Sequence, residues 1–209
     1  MAKCMHHWNG NQVCAIDTET TGLDPSRHEI WQISILPLDS NFRPRQDVMP
    51  FYIEMQIENP NGIDPDAIRM NREQLSRAMD LGHDPLKAID MLREWITKLK
   101  LPVTRWGNPH KIIPLGHNFA FDRAFMQRWL TVDTYDEFFH YHYKDSMLTA
   151  QFMNDRAAMH GAKVPYSKVG LQWLATKLKI QTERAHDSLQ DCIATAEVYR
   201  LLCSQGVWG

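Results

Sequence analysis

Apolar residues fall in short blocks in the first quarter of this chain and at helical spacing further on. Val13-Cys14-Ala15-Ile16 is a continuous apolar run and predicts a buried strand. Ile30-Trp31-Gln32-Ile33-Ser34-Ile35-Leu36 is β-rich with partial alternation and predicts a second strand within 29–38. A third is predicted over 48–57, where Pro50 argues for an edge position. The short connections among the three favour an antiparallel meander.

Beyond residue 57 the period changes. Asp64-Pro65 opens one short helix, and Asn71, with Gln74 three residues on, caps another. Asp84-Pro85 opens a longer helix to about Lys100, with Ile89, Leu92, Ile96 and Leu99 on one face. Residues 101–111, with Pro102, Gly107 and Pro109, read as a loop, and Ile112-Ile113-Pro114-Leu115 as a short strand. Asn118 is placed to cap a helix through Phe121, Phe125 and Trp129. Further helices are predicted over 146–159, 171–178 and from about Ser188 to Cys203. The last presents Leu189, Cys192, Ile193, Ala196, Tyr199 and Cys203 as its apolar face. The aromatic-rich stretch 131–145 predicts no single element. Strands first, then strand–helix alternation, predict one α/β domain over 1–209, a mixed sheet with helices on its faces.

Composition narrows the class. Apolar residues make up 44% and charged residues 23%, ordinary values for a globular protein. A formal charge of −2 excludes a global basic field, so a nucleic-acid ligand would be gripped locally, at a short end. Cys4, Cys14, Cys192 and Cys203 show no paired spacing; Cys14 in the apolar strand and Cys192 and Cys203 in the last helical pattern are expected as buried free thiols, which suits a reducing, cytoplasmic setting. The first residues carry no apolar leader core, and no run is long enough to span a bilayer, which argues against a secreted or membrane-spanning protein.

Chemistry concentrates at three places. Asp17 and Glu19 are two apart at the end of the first strand, so both side chains point to one face. Carboxylates that close repel unless a proton or cation lies between them, and hard oxygen ligands suit a divalent metal; the alternative is a pair of solvated acids. Asp122 lies one helical turn past Asn118, just after the mid-chain strand, where ligands collect in α/β sheets. It also fits an acid favoured by the helix dipole. His186 and Asp191 are five apart and share a site only if His186 sits on the loop before the last helix. Ser188-x-x-Asp191 equally matches a capping box. Together, four acids and a loop histidine fit a two-metal phosphodiesterase site, the histidine taking the proton of the attacking water.

The three segments in this order resemble the DEDDh exonucleases, the DnaQ-like family that includes replicase proofreading subunits, RNase T and oligoribonuclease. The matching segments are Asp17-Thr18-Glu19-Thr20-Thr21-Gly22-Leu23, His117-Asn118-Phe119-Ala120-Phe121-Asp122 and His186-Asp187-Ser188-Leu189-Gln190-Asp191. The likeness spans about 13–203. It implies an RNase H-like mixed sheet, three antiparallel strands followed by parallel ones, flanked by helices. It implies two divalent ions (Mg²⁺ or Mn²⁺), Asp17 bridging both, Glu19 and Asp191 completing the water-activating site and Asp122 serving the second ion. His186 is the implied general base. Asp187 stands where the tyrosine-bearing sister class has its Tyr, which indicates the histidine class.

The implied reaction is 3′-5′ hydrolysis of terminal phosphodiesters of single-stranded nucleic acid to nucleoside 5′-monophosphates. Thr20, Thr21, Leu23 and Met70 are candidates to hold the terminal base, with Asn118 at the second motif and Arg184 as a phosphate partner. Lys163 and Lys168 are candidates to guide the strand; Trp106 is a candidate base contact, and Trp31, Trp95 and Trp129 are expected in the core. The Thr20-Thr21-Gly22-Leu23 wording is closer to proofreading exonucleases and favours DNA over RNA, with a polymerase as a possible partner. The rival readings are an exoribonuclease and a non-catalytic binding module on the same fold.

Overall fold

The computed structural model of the chain describes residues 6–7, 11–181 and 187–205. Its centre is a mixed sheet built on β2 (Asn11–Thr20), with the short β1 (His6–His7) paired antiparallel to its start. β3 (Ile30–Pro37) runs antiparallel to β2, and β4 (Phe51–Glu54) antiparallel to β3. β5 (Ile112–Gly116) then adds parallel to β2 on its other side, and β6 (Lys144–Asp145) parallel to β5. The spatial order is β4-β3-β2-β5-β6, the expected antiparallel set followed by parallel strands. β4 is the edge strand anticipated from Pro50 but is shorter than 48–57; Pro50, which has no N–H to give a ladder, stays outside it.

The helices are α1 (Pro65–Leu81), α2 (Pro85–Lys98), α3 (Phe119–Leu130), α4 (Val132–Phe138), α5 (Ser146–Met159), α6 (Leu171–Lys177) and α7 (Ser188–Ser204). The two short helices expected at 64 and 71 are both present: they meet at Asn71, whose backbone is non-helical (φ −131°, ψ 30°), and are labelled together as α1. The unassigned stretch 131–145 supplies α4 and β6, and its aromatic residues Tyr135, Phe138 and Phe139 are core. Asp64 and Asp84 cap α1 and α2 as expected, each accepting backbone N–H bonds.

Alternation along β2 assigns its two faces. Cys14 and Ile16 pack with Ile33, Ile35, Phe119, Phe125 and Leu92 under α2, α3 and α4. Val13 and Ala15 pack with Leu36, Leu115, Cys192 and Ala196 under α7. A second seam of α7, with Val198 and Leu202, packs on Ala150 of α5 and Leu174 of α6. Burial on two sides rotates the apolar stripe away from the expected one, leaving Ile193 and Cys203 exposed, so only Cys14 and Cys192 are buried thiols among those described. Trp31 and Trp95 are core, and Trp129 packs at its margin. No helix among the described residues is long and apolar enough to cross a membrane.

Candidate metal centre and active site

The apolar half of the β2–β3 surface beneath α7 gives way to a polar half at the C-terminal end of β2. There Asp17 stands opposite Ser34, and Glu19 opposite Gln32. A register shift between Glu19 and Thr20 skips Trp31, so that Thr20 pairs with Ile30 before the chain turns through Gly22. A Cβ at that glycine would meet the His28 ring at 2.5 Å, so any larger residue would have to displace the ring. His28 in turn accepts the Asp24 N–H on Nδ1, closing the turn.

The same polar half seats the start of α7. Gln32 Oε1 accepts the Ser188 N–H at 2.8 Å, and the Ser34 and Ser188 hydroxyls share a bond of 2.7 Å. Gln32 Nε2 donates onward to the Tyr52 hydroxyl and to Glu54. The helix cap is Asp187, whose carboxylate takes the Gln190 N–H, so the capping-box alternative for Asp191 does not hold. Asp191 is buried one turn in. Asp17, Glu19 and Asp191 each bring a carboxylate oxygen within 4.8 Å of the others, the single such group of three metal-ligating side chains among the described residues.

Asp122 arrives from the opposite face of the sheet. β5 ends at Gly116 and pairs β2 only as far as Ala15, so beyond that point β2 lacks a neighbour on this side. The Thr18 N–H and hydroxyl both donate to Oδ1 of Asp122, at 3.0 and 2.7 Å. The turn that delivers it is held by Asp145, at the end of β6. One Asp145 oxygen accepts the Phe119 N–H at 2.8 Å; the other accepts from Asn118, Met147 and Leu148. A single carboxylate therefore caps α3 and α5 together. Asn118 occupies the N-cap position just before α3 in the left-handed region (φ 65°), exposed and without the side-chain capping bond expected of it.

Electrostatics match this crowding. Burial pushes the Asp17 carboxyl well above its ordinary range, and Asp122, Glu19, Asp191 and Asp187 push it further. Glu19 rises to about 8, chiefly through burial and then Asp191, against a lowering hydrogen bond from Asn71. Asp122 rises to about 7 through burial, against its bonds from Thr18. No lysine or arginine pairs with Asp17, Glu19 or Asp122 among the described residues. Hard oxygen donors crowded together at this strand end fit divalent cations.

The remaining predicted positions divide. Leu23 and Met70 are exposed, at 80% and 54%. Thr20 is partly buried and donates its hydroxyl to Gly22 O. Thr21 is turned inward, 2% exposed, and its hydroxyl accepts the Glu29 N–H. His186 and Arg184 lie outside the described residues. Lys163 and Lys168 are exposed on the α5–α6 connection. Trp106 is not a neighbour of the acids: its loop closes by a Val103–Pro109 bridge and is tied through His110 and Lys111 to Asn11. That anchors it at the far ends of β2 and β5.

Sequence reasoning missed the supporting polar residues Thr18, Gln32, Ser34, Asn71, Asp145 and Gln172. Three carried a usable signal: Thr18 lies between the two acids, and Gln32 and Ser34 interrupt an otherwise apolar strand.

A model of the RNase_T family, described as Exonuclease, matches residues 14–199. The oligoribonuclease of Ectopseudomonas mendocina is 25% identical over 199 residues, covering 92% of this chain and 96% of that protein. Exonuclease I from Methylocaldum szegediense superposes with a TM-score of 0.69 at 21% identity, over 93% of this chain and 41% of the larger one. E. coli exonuclease I in complex with a dT13 oligonucleotide gives 0.68 at 18% identity, over 93% and 41%. The fold is therefore RNase H-like. The chain belongs to the RNase_T exonuclease family, the DEDDh or DnaQ-like group of metal-dependent nucleases.

Proposed function

We propose that this protein removes nucleoside 5′-monophosphates from the 3′ end of single-stranded nucleic acid, with DNA as the first substrate. The observation that carries this reading is the convergence of Asp17, Glu19 and Asp191 oxygens within 4.8 Å, with Asp122 delivered to the neighbouring Thr18. Divalent ions, Mg²⁺ or Mn²⁺, held there would activate water and stabilise charge on the leaving oxygen.

The chain's own residues then divide the work. Asp17, whose carboxyl feels both Asp122 and Glu19, would be the central acid of the set that holds the divalent metal. Glu19 and Asp191 would, with Asp17, hold the metal that activates water, and Asp122 would help hold the metal that stabilises the leaving oxygen. His186, two residues before the Ser188 anchored on Gln32 and Ser34, receives the proton of the attacking water. The exposed Leu23 and Met70 offer apolar surface to the terminal base, which tolerates any base.

RNA is the second reading, and a specific observation favours it: the relative matched from end to end is named an oligoribonuclease. The comparison on one assay is direct. The protein is incubated with end-labelled DNA and RNA single strands in Mg²⁺ or Mn²⁺. Laddering from the 3′ end, lost in Asp17→Ala and His186→Ala, supports the nuclease reading, and the sugar that is degraded chooses the substrate. Internal cuts, or cleavage insensitive to chelator, refute it.

A further inference from the structure

Crowded carboxylates need something other than each other to hold them in place. Two side-chain amides reach the acids of the proposed metal site. Asn71 Nδ2 donates to Oε2 of Glu19 at 3.2 Å, and Gln172 Nε2 donates to Oδ1 of Asp191 at 3.1 Å. They come from helices about a hundred residues apart, α1 and α6, and converge on two acids of one site. We propose that Asn71 and Gln172 are positioning residues that set the orientation of Glu19 and Asp191 for divalent-cation binding.

Neutral donors suit this task. A lysine or arginine would neutralise the carboxylate it held and compete with the cation, whereas an amide fixes the carboxylate's rotation and leaves its charge in place.

Asn71 shows the stronger mark of function. It is 2% exposed at the bend of α1, and its Oδ1 has no hydrogen-bond partner among the described residues. Only the NH₂ end of the amide can face a carboxylate, so the bond to Glu19 sets which way the group points and strands its oxygen in the interior. A buried oxygen left unpaired disfavours the fold, and an apolar residue of the same size would remove that penalty. An asparagine here serves Glu19 and not the helix. Gln172 is the opposite case: it is exposed on α6, whose inward side is made by Leu174 and Ala175. Its bond to Asp191 therefore owes nothing to core packing.

This inference rests on the acids being a metal site, and the test separates the two claims. Mn²⁺ is titrated calorimetrically into metal-free wild type, Gln172→Leu, Asn71→Leu and Asp17→Ala, and each protein is melted in EDTA. The expected result is Mn²⁺ affinity lower by about 10- to 100-fold in Gln172→Leu and Asn71→Leu, with the EDTA melting temperature held or raised. Cleavage by both variants should recover at saturating Mn²⁺ with an unchanged KM for the oligonucleotide, as residues that never touch the strand require. Gln172→Leu binding Mn²⁺ as tightly as wild type overturns the inference and leaves the metal site intact. Loss of folding in Asn71→Leu overturns the assignment of Asn71 to Glu19. Absence of Mn²⁺ binding by wild type itself, with no cleavage, removes the metal site and this inference with it.

Discussion

Thr18 and Asp122 are 104 residues apart in sequence, yet Oδ1 of Asp122 takes both the Thr18 N–H and the Thr18 hydroxyl. The carboxylate occupies a ladder position on β2 that β5 is too short to fill. A strand that ends early thus creates the socket that orients the acid, and helix α3 delivers the acid to it.

Thr18→Val keeps the β-branched shape and the backbone bond but removes the 2.7 Å hydroxyl bond. It should cost about 1.5–3 kcal/mol, the range for a hydrogen bond to a charged group, measured by urea unfolding. Nuclease activity should fall by about tenfold or more as the carboxylate loses its fixed rotation, and Thr18→Ser should restore most of it.

The raised carboxyls of Asp17, Glu19 (to about 8) and Asp122 (to about 7) set a stability profile for the metal-free protein. A group whose folded pKa is raised holds a proton that the unfolded chain has already released. Its contribution is full below the unfolded value near 4 and is lost as pH rises through the folded value. In EDTA the melting temperature should therefore fall as pH rises from about 5 to about 8.5. Glu19→Gln cannot ionise and should melt higher at the alkaline end by roughly 6 °C, on the order of 2 kcal/mol. Mg²⁺ should raise the wild type most where the fall is greatest. A melting temperature that climbs with pH in EDTA contradicts the upward shift of these buried carboxyls.

Gln32 links three elements: it accepts from Ser188 and donates to Tyr52 and Glu54. Gln32→Leu fits the apolar neighbours of β3 but leaves the buried Ser188 N–H without this acceptor, a cost of about 1–3 kcal/mol by chemical denaturation. The loosened start of α7 carries Asp191 and adjoins His186. Steady-state kinetics should therefore show a lower kcat with KM for the oligonucleotide little changed.

Much of this arrangement was legible beforehand, for reasons that particular residues make plain. Helices opened by Asp-Pro were readable because a cap and a pre-set φ act locally; Asp84-Pro85 is the example. The approach of Asp17, Glu19 and Asp191 to one another, and of Asp122 to Thr18, was readable because the three motifs keep their order along the chain. The holders of those acids were not. Asp145 lies in an aromatic stretch with no period, and its role depends on the α3 turn folding back against it. Asn71 is legible as the break between two helical segments, but its bond to Glu19, 52 residues away, depends on how those segments pack on the sheet. Cys203 was misplaced because a helix packed on two sides has no single stripe to read.

Asp145 accepts backbone N–H bonds at the starts of both α3 and α5. Asp145→Ala should destabilise by about 2 kcal/mol or more, as loss of two caps at once. Asp145→Asn should retain part of this, because the amide oxygen still accepts while the charge at the helix start is gone. Thermal unfolding of the two variants in parallel checks the order.

The most direct measurement is the anomalous scattering of Mn²⁺ in crystals of the wild-type protein, compared with Asp17→Asn. Peaks within coordination distance of the Asp17, Glu19 and Asp191 oxygens, with a second toward Asp122, are the expected result, weakened or lost in Asp17→Asn. Saturating Mn²⁺ bound elsewhere, with these carboxylates bare, would contradict the metal centre and the nuclease mechanism built on it.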